Sequence, residues 1–347
     1  MHKVLVVATS PQSRGGIATV VDALRDTDMW KAHKCCWVAT HIDRSKLQKV
    51  AKLVLGFFKY LLLLPWYDIV HIHLSTRVSA NRKYIFYRLA KAFGKRVVVH
   101  LHCGTQLSDI WNSKYQDMFT NSDACILLSK SIRDAVASLT GKSENLHVVY
   151  NPSPSGVVVP KSEERTKTIL FAATLYREKG YLDLIEAFAE IAVKYPDWKL
   201  VLAGNGSQYE GVGKAAQLRV GNRVEFVGWV KGADKDRVFR SASIFCLPSY
   251  AEGFPMAVLD AWAYGLPVVT TPVGGVPDIV VDGENGLLFN PGDVDTLASK
   301  LSMLIESEEL RAKISEESLR LADTTFNVKT IASELAKIYG DVYGTKK

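Results

Sequence analysis

Two carboxylates, Glu252 and Asp260, stand in "SYAEGFPMAVLDAWAYG", residues 249 to 265, with aliphatic and aromatic residues between and after them. Acids so placed can act as a hydrolytic pair, as a metal site or as groups that hold a substrate. Pro255 suits a first helical turn, and Gly265 followed by Pro267 suits a helix end. Glu252 then lies in the loop before a helix, and Asp260 lies inside it, about two turns from its start. Met256, Val258, Leu259, Ala261 and Trp262 would seat the helix on a sheet. Its start offers free N–H groups and the positive end of its dipole to a ligand. Asp260 would equally serve as a plain surface charge on an amphipathic helix.

Other residues with chemical potential lie elsewhere. In "ATSPQSRGGIATVVDAL" (8–24) a strand gives way to Gly15 and Gly16 and then to a helix. Unobstructed backbone N–H groups there form an anion site or, at the least, a flexible turn. The spacing is neither GxGxxG nor a P-loop. Arg177 and Lys179 fall in a strand-to-helix loop, as a diphosphate grip or as solvated charges. His71 and His73 share one face of one strand, and His100 and His102 share one face of another. Four histidines so placed could bind zinc, but no carboxylate stands at ligand spacing, so core histidines are the expectation. His102 differs because it ends its strand at a sheet edge, where a neutral imidazole can meet a bound hydroxyl. The acidic triplets "DTD" (26–28) and "DVD" (293–295) match a metal–nucleotide pattern, but each adjoins a helix end, where Asp is a natural cap.

These groups need elements to carry them. Short apolar runs at 3–8, 68–74, 96–102 and 124–129 alternate with helical patterns near 17–27, 45–64, 81–93 and 129–139. After a Pro-, Ser- and charge-rich stretch (151–167), the alternation restarts with strands at 168–173, 199–203, 223–227, 244–247, 267–270 and 286–289. Helices are expected at 180–194, 207–219, 233–241, 255–264 and 293–306, with a helical tail over 308–343. The pattern predicts two doubly wound α/β domains. Their ligands should gather at the carboxyl ends of the strands, in a shared cleft. The expected boundaries are 1–155, 156–325 and a closing helix over 326–347 that packs back on the first domain.

The chain has 347 residues, 48% hydrophobic and 23% charged, which suits two folded domains and excludes a disordered chain. Five cysteines without CxxC spacing read as reduced thiols in the cytoplasm. The N-terminus reads as a first strand, not a signal peptide. The run from Leu53 to Trp66 contains Lys59 and is too short to span a bilayer. Residues 1–150 hold 21 Lys and Arg against 10 Asp and Glu, whereas residues 151–347 hold 22 against 26. A basic first half calls for an anionic partner.

Taken in order, these blocks resemble a known family. "PSYAEGFPMAVLDAWAYGLPVVTTPVGGVPDIVVDGENGLLFNPGD" (248–293) is similar to the signature block of the retaining glycosyltransferases of family four, which have the GT-B fold. "SRGGIATVV", "YDIVHIH", "VVVHLHCGT", "SDACILLSKSI", "VVYNP", "REKGYLDLIEAF", "VLAGNG" and "VEFVGWV" resemble its remaining blocks, over about residues 3 to 306. The resemblance implies that Gly15 and Gly16 lie near a donor diphosphate and that His102 meets the donor sugar. Lys179 matches the lysine of a "KG" motif, and Glu252 the first Glu of a Glu-x7-Glu motif. Asp260 stands where the second Glu would hold the ribose, and Gly253, Phe254, Pro255 and Met256 lie near sugar and phosphate. The base would lie near Trp229 and Val230. The candidate catalytic set is therefore His102, Glu252, Lys179 and Arg177. Three positions depart from the pattern: Asp260 is one methylene short, Thr174 replaces an Arg for which Arg177 would substitute, and Asp278 replaces a Glu.

The implied activity is retaining transfer of a sugar from a nucleotide sugar, with UDP the expected nucleotide, by front-face attack without metal or other cofactor. The implied acceptor is a polysaccharide, lipid-linked oligosaccharide or glycolipid. Thr105, Gln106 and the 205–212 loop would set specificity. Residues 44–96 interleave lysines and arginines with apolar residues at helical spacing. They read either as a docking face for an anionic membrane, on the inner face of the plasma membrane, or as a domain helix with solvated lysines. Nucleic acid is not expected, since no recognised module accompanies the charge. An epimerase of similar fold and a non-catalytic nucleotide-sugar binding protein are the competing readings.

Overall fold

The computed structural model describes residues 2–13, 15–102 and 107–344. Cys103, Thr105 and Gln106 lie outside them. The chain forms two compact units, one up to Pro152 together with Val328 onward, the other Ser153–Asn327.

The first unit is a six-stranded sheet in the order β2-β1-β3-β4-β5-β6, all parallel. Its strands are β1 (Val4–Ala8), β2 (Cys36–Ala39), β3 (Ile69–Leu74), β4 (Arg96–Leu101), β5 (Ala124–Leu127) and β6 (Leu146–Val148). Its helices are α1 (Gly16–Arg25), α2 (Asp28–Ala32), α3 (Lys46–Leu63), α4 (Arg77–Ala92), α5 (Leu107–Ile110), α6 (Ser113–Asn121) and α7 (Lys130–Thr140). The central strands are buried along their whole length, as helices on both faces of a parallel sheet require. Helix α3 starts at a capping box formed by Ser45 and Gln48 and crosses β2 at Gly56. A Cβ at Gly56 would fall 2.3 Å from the Ala39 carbonyl oxygen, so only glycine lets the helix lie this close.

The second unit repeats the architecture with β7 (Thr168–Ala172), β8 (Lys199–Ala203), β9 (Val224–Phe226), β10 (Ile244–Leu247), β11 (Val268–Thr270) and β12 (Leu287–Leu288). They lie in the order β12-β11-β10-β7-β8-β9. Its helices are α8 (Tyr181–Ala192), α9 (Gln208–Gln217), α10 (Gly232–Ser241), α11 (Met256–Ala263), α12 (Val294–Glu306) and α13 (Glu308–Asp323). Counted within the unit, the strand order is 6-5-4-1-2-3, the dinucleotide-fold order, with its reversal between β7 and β10. This is the α/β GT-B class, two doubly wound Rossmann-like sheets.

The last helix, α14 (Val328–Gly344), belongs to the first unit and packs on α1 and α2. Tyr339, fully buried, sends its hydroxyl to Nδ1 of His71 at 2.6 Å.

Both DxD triplets serve as caps. Thr27 receives the Trp30 N–H at the start of α2, and Asp293 receives the Thr296 N–H at 3.0 Å at the start of α12. The expected helix over 255–264 begins one residue later, with Pro255 as an extended N-cap and not within the first turn.

Candidate functional site

The reversal between β7 and β10 in the second unit brings two loops together. The loop after β7 ends in a tight turn over Arg177–Lys179 and then Gly180, whose φ of +67° starts α8. A Cβ at Gly180 would fall 1.9 Å from the Pro248 carbonyl oxygen, so glycine alone allows the turn to press against the loop after β10. The Tyr250 N–H donates to the Glu178 carbonyl at 2.8 Å and fixes the register of the two loops.

Lys179 and Glu252 meet where the loops touch. The Lys179 ammonium donates to Oε1 of Glu252 at 2.6 Å and to the Ala251 carbonyl at 3.3 Å. The Ser249 hydroxyl donates to the same Glu252 oxygen at 2.7 Å. Glu252 retains only 11% side-chain exposure, so these charge-assisted bonds form in a largely desolvated pocket. A third loop braces them. Gly274, at φ +58°, would carry a Cβ 1.9 Å from the Glu252 carbonyl oxygen, and the Gly275 N–H donates to the Gly253 carbonyl at 2.9 Å. Beside this cluster α11 begins at Met256 with no side chain capping its first turn.

Asp260 lies one turn into α11, with its carboxylate 2.7 Å from the Lys235 ammonium of α10 and 15% exposed. Burial raises its pKa above the usual carboxylate value, and Lys235 opposes the rise. Each acid thus has its own lysine partner.

Arg177 does not share the Lys179 cluster. Its guanidinium pairs with Glu210 at 3.1 Å and is 79% exposed, so the expected two-cation grip is divided between two acids. Phe254 is buried and its ring packs near Phe326. Trp229 is half-exposed, with the Lys231 ammonium 5.8 Å from its ring centre, and Val230 is half-buried beside it.

In the first unit Gly15 has φ +116° and open space around it, and Gly16 is the first residue of α1. His102 follows β4, its N–H donating to the Leu74 carbonyl at 2.7 Å. Its Nε2 lies 2.9 Å from Nδ1 of His73. The four histidines form a stack: His71 and His73 at 4.3 Å, His100 and His102 at 4.0 Å, and His71 and His100 at 5.5 Å with planes 6° apart. Nitrogens of His71, His73 and His100 lie within 4.8 Å of one another. The His73 ring is inclined 26° to His71 and 32° to His100, and the imidazole lone pairs lie in those ring planes. Burial lowers all four pKa values, His71 and His102 to about 3, so the stack is neutral near pH 7.

The sequence reading did not single out Lys235, Ser249, Gly180 or Gly274, and it counted Lys83 among the cations of the basic 44–96 face, where the structure instead buries it completely. Lys235 sits in the loop-to-helix stretch "VKGADKD", where a lysine carries no signal of its partner. Gly180 and Gly274 were legible only as members of "KG" and "VGG". Lys83 is fully buried on α4, donates to the His73 carbonyl, and has a pKa lowered to about 7 by burial and by Arg82.

Comparison with known proteins finds matches over the second unit and in the fold. Residues 158–320 match the family model of glycosyl transferases group 1. The match spans every residue of the Lys179–Glu252–Asp260 cluster. Among curated relatives, an uncharacterised glycosyltransferase of Haemophilus influenzae is 32% identical over 198 residues, covering 56% of this chain and 54% of that protein. A lipopolysaccharide core biosynthesis glycosyltransferase of Rhizobium meliloti is 31% identical over 206 residues, covering 57% and 58%. The chain thus spans a little over half the length of each of these relatives. The Anabaena protein HepE, solved in complex with UDP-glucose, superposes with a TM-score of 0.79 at 21% identity, over 98% of this chain and all of that one. At that identity the likeness carries the fold.

Proposed function

We propose that the chain is a retaining glycosyltransferase that moves a sugar from a nucleotide sugar, with UDP as the nucleotide, to a polysaccharide, lipid-linked oligosaccharide or glycolipid. The observation that carries this reading is the Lys179–Glu252–Ser249 cluster at the strand-order reversal, beside the uncapped start of α11. Ligands of open α/β sheets bind at such reversals. The UDP-glucose complex of HepE and the group 1 match over the second unit support the donor class.

In this reading Glu252 meets the sugar hydroxyls and Asp260 the ribose. Lys179 and the N–H groups at the start of α11 neutralise the charge that grows on the leaving diphosphate. Arg177 would join them by leaving Glu210, an exposed ion pair of little intrinsic strength. In the first unit Gly15 and Gly16 leave backbone N–H groups accessible to an anion, and neutral His102 bonds a sugar hydroxyl. The acceptor oxygen attacks from the face the diphosphate leaves, and its proton passes to that diphosphate. Positive charge comes from the chain itself, so transfer proceeds without a metal.

The first unit supplies the acceptor side. The outward row of α3, Leu47, Val50, Val54, Leu55, Phe58 and Leu62, is exposed, and Lys46 and Lys49 beside it are exposed too. An apolar row flanked by cations suits the surface of an anionic bilayer. No helix among the described residues is long and apolar enough to cross a membrane.

The test is a donor screen. The full chain is mixed with UDP-, GDP- and ADP-sugars in EDTA, and thermal shift and released nucleotide are measured. One UDP-sugar that stabilises the chain and is slowly hydrolysed in EDTA supports the reading, and no binding to any of them overturns it. Flotation with anionic liposomes at low salt tests the membrane component, which fails if the chain stays at the bottom.

A further inference from the structure

A cavity of about 500 Å³ opens in the first unit at the free edge of the sheet, between β2, the end of α1, α2 and α3. Arg25, Lys52 and Lys59 line it, together with the indoles of Trp30 and Trp37, and no carboxylate does. The cations are largely uncommitted. Lys52 makes no hydrogen bond or ion pair among the described residues. Lys59 spends one N–H on the Trp37 carbonyl at 2.9 Å and keeps two. Arg25 pairs with Asp22 at 3.1 Å, but both side chains are at least half exposed, so water screens the pair. The Trp37 indole donates to the Thr9 carbonyl at 2.9 Å, which fixes its ring as a wall, with the Arg25 guanidinium 6.0 Å from the ring centre.

Leu55 connects this cavity to the bilayer-facing row. It lines the cavity, is 67% exposed and belongs to the outward row of α3. A smaller, mostly apolar hollow of about 160 Å³ next to it shares Lys52 and Leu55. A ligand that satisfies both features has an anionic head, for three lining cations of which only Arg25 has a carboxylate partner, the screened Asp22, and a hydrocarbon tail, for the apolar row that begins at the rim. A phosphate ester of a lipid has that form.

We propose that this cavity holds the phosphate of a membrane lipid whose chain runs along the outward face of α3. The inference rests on the membrane reading above. It assigns the lipid a site: the phosphate sits between Lys52, Lys59 and Arg25, and the first methylenes lie on Leu55 and the indole faces.

The experiment compares two double variants of the full chain that remove equal charge. K52Q/K59Q empties the cavity of lysines, whereas K46Q/K49Q removes two exposed lysines of α3 that do not line it. Sedimentation with phosphatidylcholine vesicles carrying phosphatidic acid reads membrane affinity, and titration with soluble dihexanoyl phosphatidic acid or glycerol 3-phosphate reads the site. The expected result is a loss about tenfold greater for K52Q/K59Q in both arms, since a surface cation alone contributes only about fivefold. Equal losses for the two doubles on vesicles overturn the cavity site and leave the membrane reading intact. If the wild-type chain ignores every vesicle, the membrane reading falls, and the soluble arm decides the cavity: it must bind dihexanoyl phosphatidic acid and lose it in K52Q/K59Q, or the proposal is overturned. Glycerol 3-phosphate binding as tightly as the short-chain lipid overturns the lipid assignment.

Discussion

The Lys179 ammonium and the Glu252 carboxylate lie 2.6 Å apart, joined across loops that leave two adjacent strands at the point where the strand order reverses. Glu252 accepts a second bond from Ser249 on the same oxygen. Lys179→Met leaves a largely desolvated carboxylate with one neutral donor, at a cost of about 1–3 kcal/mol in folding stability. On the proposed function it also removes the cation that faces the leaving diphosphate, and kcat/KM is expected to fall by about 100-fold or more. Glu252→Gln keeps the shape and loses the charge, so activity falls as far with less loss of stability. Denaturant titration and transfer kinetics on both variants check this. A Lys179→Met enzyme that is destabilised but fully active would show that the pair only holds loops together.

Gly274 offers a test of the same cluster that touches no charged side chain. Its φ of +58° disfavours any L side chain by about 1–2 kcal/mol. A Cβ there would also meet the Glu252 carbonyl oxygen at 1.9 Å. Gly283 has a similar φ of +79° but nothing within 4 Å, so it isolates the backbone term. Gly283→Ala is expected to cost about 1 kcal/mol and leave donor affinity alone. Gly274→Ala costs more and weakens donor binding about tenfold or further, because the loop must shift to admit the methyl group. Melting curves and nucleotide-sugar titration of the two variants separate the terms. Equal behaviour of the two would mean that the Glu252 backbone has no part in binding.

Asp260 and Lys235 form the second acid–lysine pair, and their effects should be non-additive. On the proposed function, Asp260→Asn and Lys235→Met are each expected to lower nucleotide affinity about tenfold, the first by deleting the proposed ribose acceptor and the second by releasing it. The double variant then loses little beyond either single one, as expected for groups acting as a unit. Isothermal titration with UDP over the four proteins measures the coupling. Strictly additive losses would place Lys235 in direct contact with the nucleotide.

How far the sequence foretold this arrangement depended on the length and regularity of each signal. The central strands of both sheets are mainly apolar runs, broken in β3 and β4 only by buried histidines and the Arg96 end, and they were legible. The edge strands β2, "CWVA", and β6, "LHV", were not, since half-buried strands of four and three residues lack a continuous apolar run. Glu252, Lys179 and His102 stood out because their loops follow strands, and Asp260 because it lies in the helix that follows Glu252. Their partners did not. Lys235 is 25 positions from Asp260, Gly274 is 22 from Glu252 and Tyr339 is 268 from His71, distances that only the fold closes. Arg177 and Lys179 look equivalent two residues apart, but the turn between them directs one toward Glu210 and the other toward Glu252.

The histidine stack and Lys83 give the first unit a pH signature with a defined sign. His71, His73 and His100 are buried, with pKa values pushed below the ordinary imidazole value near 6.5, for His71 to about 3. The unfolded chain therefore binds more protons than the folded one as pH falls below about 6.5. Stability is fully present above that value and is lost on acidification, by up to about 1.4 kcal/mol per pH unit for each such histidine. Lys83 acts in the same direction at higher pH. Its folded pKa of about 7 lies below its unfolded value, so between about 7 and 10.5 the unfolded chain again binds the extra proton and stability rises with pH. Lys83→Met removes the rising limb above pH 7 and keeps the acid limb, slightly reduced because burial remains the main cause of the His73 shift while the opposing Lys83 charge is gone. Replacing His100, whose ring nitrogens have no hydrogen-bond partner among the described residues, by Phe removes one proton from the acid limb without breaking a bond. Denaturation midpoints from pH 4 to pH 10, taken at constant ionic strength, resolve both limbs. A flat profile in the wild-type chain would mean that these side chains are hydrated and not enclosed as described.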